Sequence, residues 1–290
     1  MNNIQITFVG GDMRQLSSAK ALHTKGNTVQ VYGFDGCLIP NGIYQPPTLK
    51  EALFGVQCVV LPLPYARDGK INAPMTKEDI TLEYVVDNSG EAIILGGKFD
   101  GKAYKCAEAH NIKMIDYYGR EELSILNAVP TAEGAVEIAM RELPTTVFGM
   151  ECAVVGYGKV GRVLAATLNA LGANVTVFAR RAEARAWAKV DGCKAEDTEK
   201  LATSAHGFTC VFNTVPAVLI DESVINSLSR DALIVDLASS PGGVDVGAAE
   251  KRGIRCISAL SLPGRVAPDS AGMIIAETIE NILISEEIIK

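Results

Sequence analysis

Histidine is scarce in this chain: three residues among 290, at His23, His110 and His206. None of them clusters with the seven cysteines, and no CxxC pair occurs. A zinc centre needs such clustering, so no metal site is expected. The cysteines are odd in number and scattered. Cys58, Cys152 and Cys210 lie inside apolar runs and read as buried thiols of a reducing compartment, so the expected location is the cytoplasm. No run of 18 or more apolar residues exists, which argues against a membrane span. Met1-Asn-Asn-Ile-Gln-Ile lacks the basic start and apolar core of a signal peptide. The net charge is −7. No long basic stripe interleaves with aromatics, which argues against nucleic acid as a partner.

Glycine, by contrast, stands at telling positions. Cys152-Ala-Val-Val-Gly-Tyr-Gly-Lys-Val-Gly-Arg162 contains an apolar strand and then Gly156-x-Gly158-x-x-Gly161. A helical stretch follows, with Val160, Leu164, Leu168 and Leu171 on one face. Asn174–Phe178 is the next strand. This is the strand–turn–helix–strand context of a dinucleotide fingerprint. Gly156 allows the tight turn, Gly158 the approach of a pyrophosphate, and Gly161 close packing of helix on strand. Tyr157, Lys159 and Val160 belong to the same turn.

The end of the second strand discriminates between nucleotides. NAD-binding chains place Asp or Glu there, against the ribose 2′-hydroxyl. Here the position holds Ala179, followed by Arg180 and Arg181. Two guanidiniums and no carboxylate suit a 2′-phosphate, so the expected cofactor is NADP.

The rest of the pattern is α/β. Strands are expected at 4–9, 29–32, 58–61, 92–95 and 113–116, then at 210–213, 232–235 and 254–257, with helices between most of them. The expected fold is two Rossmann-like, doubly wound parallel-sheet domains with a cleft between them. Residues 1–129 plus 270–290 would form an N-terminal, discontinuous substrate or partner domain. The final helix would return to it with an apolar face of Ile274, Ile275, Thr278, Ile279 and Ile282. Residues 130–269 would form the NADP-binding domain, joined through a helix at 131–143. Pro130 is expected to block a helix before it, and Thr131 to cap the one after. Lys77–Asp87 is expected to be helical and Tyr65–Pro74 a polar loop.

Several polar residues fall at strand ends or helix starts, where open α/β sheets bind ligands. Gly10-Gly11-Asp12 is a degenerate counterpart of the glycine turn, placing Asp12, Arg14 and Gln15 at a strand edge. Thr131 and Glu133 would open the connecting helix, with Glu133 either complementing the helix dipole or serving the site. Thr214, Val215 and Pro216 follow a strand in the usual place for a loop along the cofactor. Asp236-Leu-Ala238-Ser239-Ser-Pro-Gly-Gly243 makes a glycine-rich turn at the nicotinamide end.

Four motifs together resemble a known family. Gly-Gly-Asp-x-Arg-Gln at 10–15, Pro-Thr-x-Glu-Gly at 130–134, Asp-Leu-Ala-Ser-x-Pro-Gly-Gly at 236–243 and Leu-Pro-Gly-x-Val-Ala-Pro at 262–268 are similar, in order and spacing, to the A subunit of dipicolinate synthase. The resemblance implies a sporulation enzyme of the mother-cell cytoplasm. It would oxidise dihydrodipicolinate to dipicolinate with NADP, beside a flavoprotein-like B subunit of the same synthase. A more distant likeness to 2-hydroxyacid dehydrogenases shares the layout. It lacks that family's substrate-binding Arg after the penultimate strand and its His before the final helix, so the ordinary 2-hydroxyacid reaction is not expected.

Such an oxidation removes one hydride and one proton from a dicarboxylate ring. Arg14 and Arg265 are the candidates for the two carboxylates, since guanidiniums grip them in a bidentate way. Gln15, Thr131 and Ser239 are further candidates for binding substrate. The base is Glu133, Asp12 or Asp236, with Asp236 nearest the nicotinamide by topology or merely ordering its turn. Two other readings stay open: a non-catalytic NADP-binding regulatory protein, and an NADP-dependent reductase of another small unsaturated acid. The two-domain layout is also compatible with a homo-oligomer.

Overall fold

The computed structural model describes residues 3–289 and divides into two compact α/β units. The first runs to Leu126 and resumes at Ala267; the second is Asn127–Val266. The boundary thus falls at 126/127, three residues before the expected 129/130, because the connecting helix starts earlier than Thr131.

In the first unit, β1 (Gln5–Val9), α1 (Met13–Thr24), β2 (Thr28–Tyr32), α2 (Leu49–Leu53) and β3 (Cys58–Val60) are followed by a small hairpin, β4 (Ala66–Arg67) and β5 (Lys70–Ile71). Then come α3 (Leu82–Asn88), β6 (Ile93–Gly96), α4 (Gly101–Ala109), β7 (Met114–Asp116) and α5 (Glu121–Leu126). The main sheet has the order β2-β1-β3-β6-β7 and is parallel throughout. Strand alternation builds a core on each face. Ile6 and Phe8 of β1 point to one cluster with Leu16, Ala19 and Leu22 of α1, while Val9 joins Val59, Leu61 and Ile94 in the other. Thr7 is fully buried on that second face, where its hydroxyl bonds the Ala52 carbonyl at 2.6 Å and receives Gln30 Nε2 at 2.8 Å. Buried polar groups need such partners.

Two local expectations change. The helix expected at Lys77–Asp87 begins only at Leu82, because the Thr81 side chain caps it by accepting from Tyr84 N. The loop expected at 65–74 holds the β4–β5 hairpin, turned through left-handed Asp68 and Gly69.

The second unit contains α6 (Ala128–Glu142), β8 (Glu151–Val155), α7 (Lys159–Ala170), β9 (Asn174–Phe178), α8 (Ala182–Val190), β10 (Lys194–Glu196), α9 (Leu201–Ser204) and β11 (Cys210–Asn213). It continues with α10 (Glu222–Ser227), β12 (Leu233–Asp236), α11 (Val246–Arg252), β13 (Arg255–Ser258) and α12 (Leu262–Val266). Its six-stranded parallel sheet has the order β10-β9-β8-β11-β12-β13. β10 had no counterpart among the expected strands, since Lys194-Ala-Glu196 is a polar edge strand with no apolar run. Cys152 and Val154 face a cluster shared with α6 and α7, and Ala153 and Val155 face the other side.

The last helix, α13 (Pro268–Ser285), belongs to the first unit. Ile275, Ala276, Ile279, Ile282 and Leu283 are buried in the cluster that holds α1. Burying each large aliphatic side chain contributes roughly 1.5–3 kcal/mol. The two helices pack closely at Gly272, where a Cβ would meet the Arg14 carbonyl oxygen and Ser17 Cβ at 2.5 Å. No helix among the described residues is long and apolar enough to cross a membrane.

Candidate functional site

β8 ends at Val155, and the chain turns at Gly156 with φ +95°. A Cβ on Gly156 would lie 2.4 Å from Thr214 Oγ1, and one on Gly161 would lie 2.3 Å from the Gly156 carbonyl oxygen. Both positions therefore exclude any side chain. Gly158 differs: a Cβ there meets nothing within 4 Å. It is the N-cap of α7, which has no side-chain cap and no acidic residue in its first turn. The first N–H groups of a helix lack intrahelical partners, and the positive end of the dipole here meets no carboxylate from its own first turn. The open approach at Gly158 and the helix polarity fit the pyrophosphate of a nicotinamide dinucleotide. Lys159 is the first helical residue and Val160 is half-buried behind it.

Tyr157 points away from that opening. Its hydroxyl donates to Asp191 Oδ2 at 2.7 Å. Burial, reinforced by this acceptor, raises the phenol's pKa. Asp191 also receives Arg162 Nε at 3.0 Å, and the Arg162 guanidinium lies 5.0 Å over the Trp187 ring. The turn is thereby tied to the C-terminal end of α8.

At the adenosine edge, Ala179 is buried at the end of β9, and Arg180 and Arg181 are exposed. Arg185 fixes this backbone by donating from Nη1 to the carbonyls of Ala179 at 2.8 Å and Arg180 at 2.7 Å. Arg181 is 3.9 Å from exposed Glu183, a pair worth little in water.

On the other side of the turn, Thr214 Oγ1 donates to the Val155 carbonyl at 2.9 Å, while Val215 is half-buried and Pro216 exposed. A residue outside the expected set organises this region. Asn213, the last of β11, is completely buried and in register with Asp236, the last of β12. A polar residue closing an apolar strand was the available signal. Asn213 Nδ2 donates to Asp236 Oδ1 at 2.8 Å. The Asp236 carboxylate also accepts from Ala238 N at 3.2 Å and Gly243 N at 3.1 Å. Its three donors order the turn. Ala238 is buried and Ser239 exposed, its carbonyl accepting from Gly242 N.

The expected polar group of the first unit does come together. Asp12 is the N-cap of α1, and Gln15 completes a capping box by accepting from Asp12 N. Arg14 donates from Nε and Nη2 to the Asp12 carboxylate, and from Nη2 to the Leu63 carbonyl at 2.8 Å. It bridges the ends of β1 and β3, between which the strand order reverses. Its Nη1 donates to no group among the described residues. Gln15 is fully buried against Tyr117, whose hydroxyl donates to the Leu61 carbonyl.

Thr131 and Glu133 are placed differently from expectation. α6 begins at Ala128, with Asn127 as N-cap and Pro130 inside the first turn. Proline is tolerated there because the missing N–H would have had no partner. Thr131 is therefore not a cap; its hydroxyl donates to the Asn127 carbonyl at 2.7 Å. Glu133 is exposed, and none of the described residues donates to its carboxylate. It lines a groove of about 480 Å³ with Val136, Glu137, Met140, Thr167 and Leu171. Gly134, on another side of α6, packs against Leu262 and Val266 of α12. Arg265 is exposed on α12, with no ion pair among the described residues. Within the second unit Glu133 thus shares its groove with neither Asp236 nor the glycine turn.

Comparison with known proteins matches these two halves separately and together. Residues 5–118 match the N-terminal domain of the dipicolinate synthase A subunit, and residues 131–242 match the NAD binding domain of D-isomer specific 2-hydroxyacid dehydrogenases. Over 289 residues the chain is 29% identical to the dipicolinate synthase A subunit of Bacillus subtilis (strain 168), covering 98% of this chain and 97% of that protein. The crystal structure of the corresponding subunit from Bacillus halodurans superposes with a TM-score of 0.87 at 29% identity, covering 97% of both chains. That of the Bacillus subtilis protein also gives 0.87, at 29% identity over 98% of this chain and 97% of that one. The second unit is a nucleotide-binding Rossmann domain of oxidoreductase type.

Proposed function

We propose that this chain, similar along nearly its whole length to the dipicolinate synthase A subunit, oxidises dihydrodipicolinate to dipicolinate with NADP. It works beside the flavoprotein-like B subunit in the cytoplasm of the mother cell. The observation that carries the reading is the whole-length match, 29% identity over 98% of the chain. It is supported by the uncapped α7 N-terminus in the second unit and the capped α1 N-terminus in the first. The former carries no side-chain cap, the latter a complete capping box.

The choice of NADP rests on Arg180 and Arg181. Both are exposed beside the buried Ala179, which stands at the strand end where a carboxylate would repel a 2′-phosphate; the carboxylate of exposed Glu183 lies 3.9 Å from Arg181. Bound NADP would supply the hydride acceptor. The chain's own task is then to hold two carboxylates, present the ring and take one proton. Arg14 keeps Nη1 for one carboxylate, its fork already oriented by Asp12 and Leu63. Arg265 offers the second guanidinium, and exposed Ser239 a hydroxyl. Thr131 is engaged with the Asn127 carbonyl, whereas Gln15 uses Oε1 in the cap and leaves its buried Nε2, without a hydrogen-bond partner among the described residues, as a donor for the substrate. The base is one of Glu133, Asp12 and Asp236, and Glu133 lies in a groove apart from the glycine turn. Asp12 is held by Arg14, and Asp236 by Asn213, Ala238 N and Gly243 N.

The test generates dihydrodipicolinate in situ and follows dipicolinate by its ultraviolet absorbance, with NADP, with and without the B subunit. Product from the lone chain places the whole site here. Product only with the partner means a shared site. No product in either case discards the enzyme reading in favour of a nucleotide-binding regulatory protein.

A further inference from the structure

We infer that Asn213 is a positioning residue for the nicotinamide half of the dinucleotide, acting through the two loops it holds and not through contact with the ligand. Ligands of open α/β sheets lie across the strand C-termini where the strand order reverses, here between β8 and β11. With the pyrophosphate at the α7 N-terminus and the adenosine ribose at the end of β9, the remaining half falls over the ends of β11 and β12. Those ends carry the loops Thr214–Ala217 and Leu237–Gly243.

Asn213 binds both loops. Its Nδ2 donates to the Val215 carbonyl at 2.9 Å and its Oδ1 accepts from Val215 N at 3.2 Å. Its own carbonyl accepts from Leu237 N at 2.8 Å. Through Asp236 it is linked to Ala238 N and Gly243 N. The loops also interlock sterically: a Cβ on Gly243 would lie 2.2 Å from Asn213 Nδ2 and 2.3 Å from the Val215 carbonyl oxygen. Nothing comparable among the described residues ties Asn213 to the adenosine edge at Ala179–Arg181, which Arg185 and Asp197 hold. Loss of the Asn213 side chain therefore frees one half of the binding face and leaves the other in place.

The experiment titrates the full chain with whichever of NADP and NAD binds more tightly, and with the adenosine-side fragment of that dinucleotide (adenosine 2′,5′-bisphosphate or ADP). Choosing the nucleotide by affinity keeps the outcome independent of the NADP reading above. Asn213→Ala and Asn213→Ser are expected to weaken the dinucleotide by about tenfold, the scale of one lost hydrogen bond, and the fragment by less than about twofold. Asp236→Asn, which loses the Gly243 N contact, is expected to give the same pattern and serves if the Asn213 variants do not fold. Equal weakening of dinucleotide and fragment, or no weakening of either, overturns the inference. So does a wild-type chain that binds no dinucleotide.

Discussion

Arg14 closes on Asp12 with Nε at 2.9 Å from Oδ1 and Nη2 at 2.8 Å from Oδ2, while Asp12 Oδ1 also takes Arg14 N at 3.0 Å. This contact marks a structural difference between the helix starts of the two units. Each opens with strand, glycine turn and helix. In the first, an acidic N-cap and its arginine stand at the helix N-terminus; in the second the N-cap is Gly158, which offers no side-chain cap. Asp12→Ala is expected to destabilise the protein by about 1–2 kcal/mol through loss of the cap, measured by urea unfolding. Nucleotide affinity should not change. A parallel loss of nucleotide binding would mean that the first unit, too, serves the cofactor.

Arg14→Ala and Glu133→Gln should separate binding from chemistry. Losing the guanidinium removes a charge-assisted bond worth about 1.5–3 kcal/mol, so KM for the dicarboxylate should rise roughly ten- to a hundredfold. A Glu133 that serves as base should, when changed to Gln, lower kcat by about 10²–10⁴-fold with little change in KM; an unchanged kcat leaves the role to Asp12 or Asp236. Steady-state kinetics with both subunits of the synthase present checks the split. Wild-type parameters in both variants would require a different site.

Arg180→Ala/Arg181→Ala should lower NADP affinity by roughly ten- to a hundredfold while leaving NAD within about twofold. Trp187 is the one tryptophan of the sequence and stacks on Arg162 near the glycine turn, so its fluorescence can report the titration. A double variant that still preferred NADP would remove the nucleotide assignment.

How far the sequence carries depends on where each signal lies. The glycine turn is legible because Gly156 and Gly161 are steric necessities, each excluded from bearing a Cβ by a neighbouring atom. The apolar run of β8 is legible because both of its faces are buried. The discontinuous first unit is legible in the surplus apolar face of α13. Other features depend on partners far apart in the chain. Asn213 gains meaning only when β12 sets Asp236 beside it, 23 residues on. β10 is a polar edge strand that pairing with β9 creates. The start of α6 is hidden by Pro130, which ordinarily marks a break and here occupies a first turn that needs no N–H from it.

Acid should loosen the link between the glycine turn and α8. The Tyr157 hydroxyl, and after it the Arg162 guanidinium, lower the pKa of Asp191 in the folded chain. A carboxylate with a depressed folded pKa contributes stability that is present above its unfolded value, about 3.9, and is lost as pH falls through the lower folded value. The Asp191 contribution should therefore be constant near neutrality and disappear only in acid. Tyr157→Phe removes the larger of the two partners, so the Asp191 titration should move back up toward the ordinary aspartate range. Carbon-13 NMR of the side-chain carboxyl follows that shift directly. An unmoved titration in Tyr157→Phe would assign the depression to Arg162 instead. The turn would then be held through α7 and its stacking on Trp187, and Arg162→Ala should be the variant that weakens nucleotide binding.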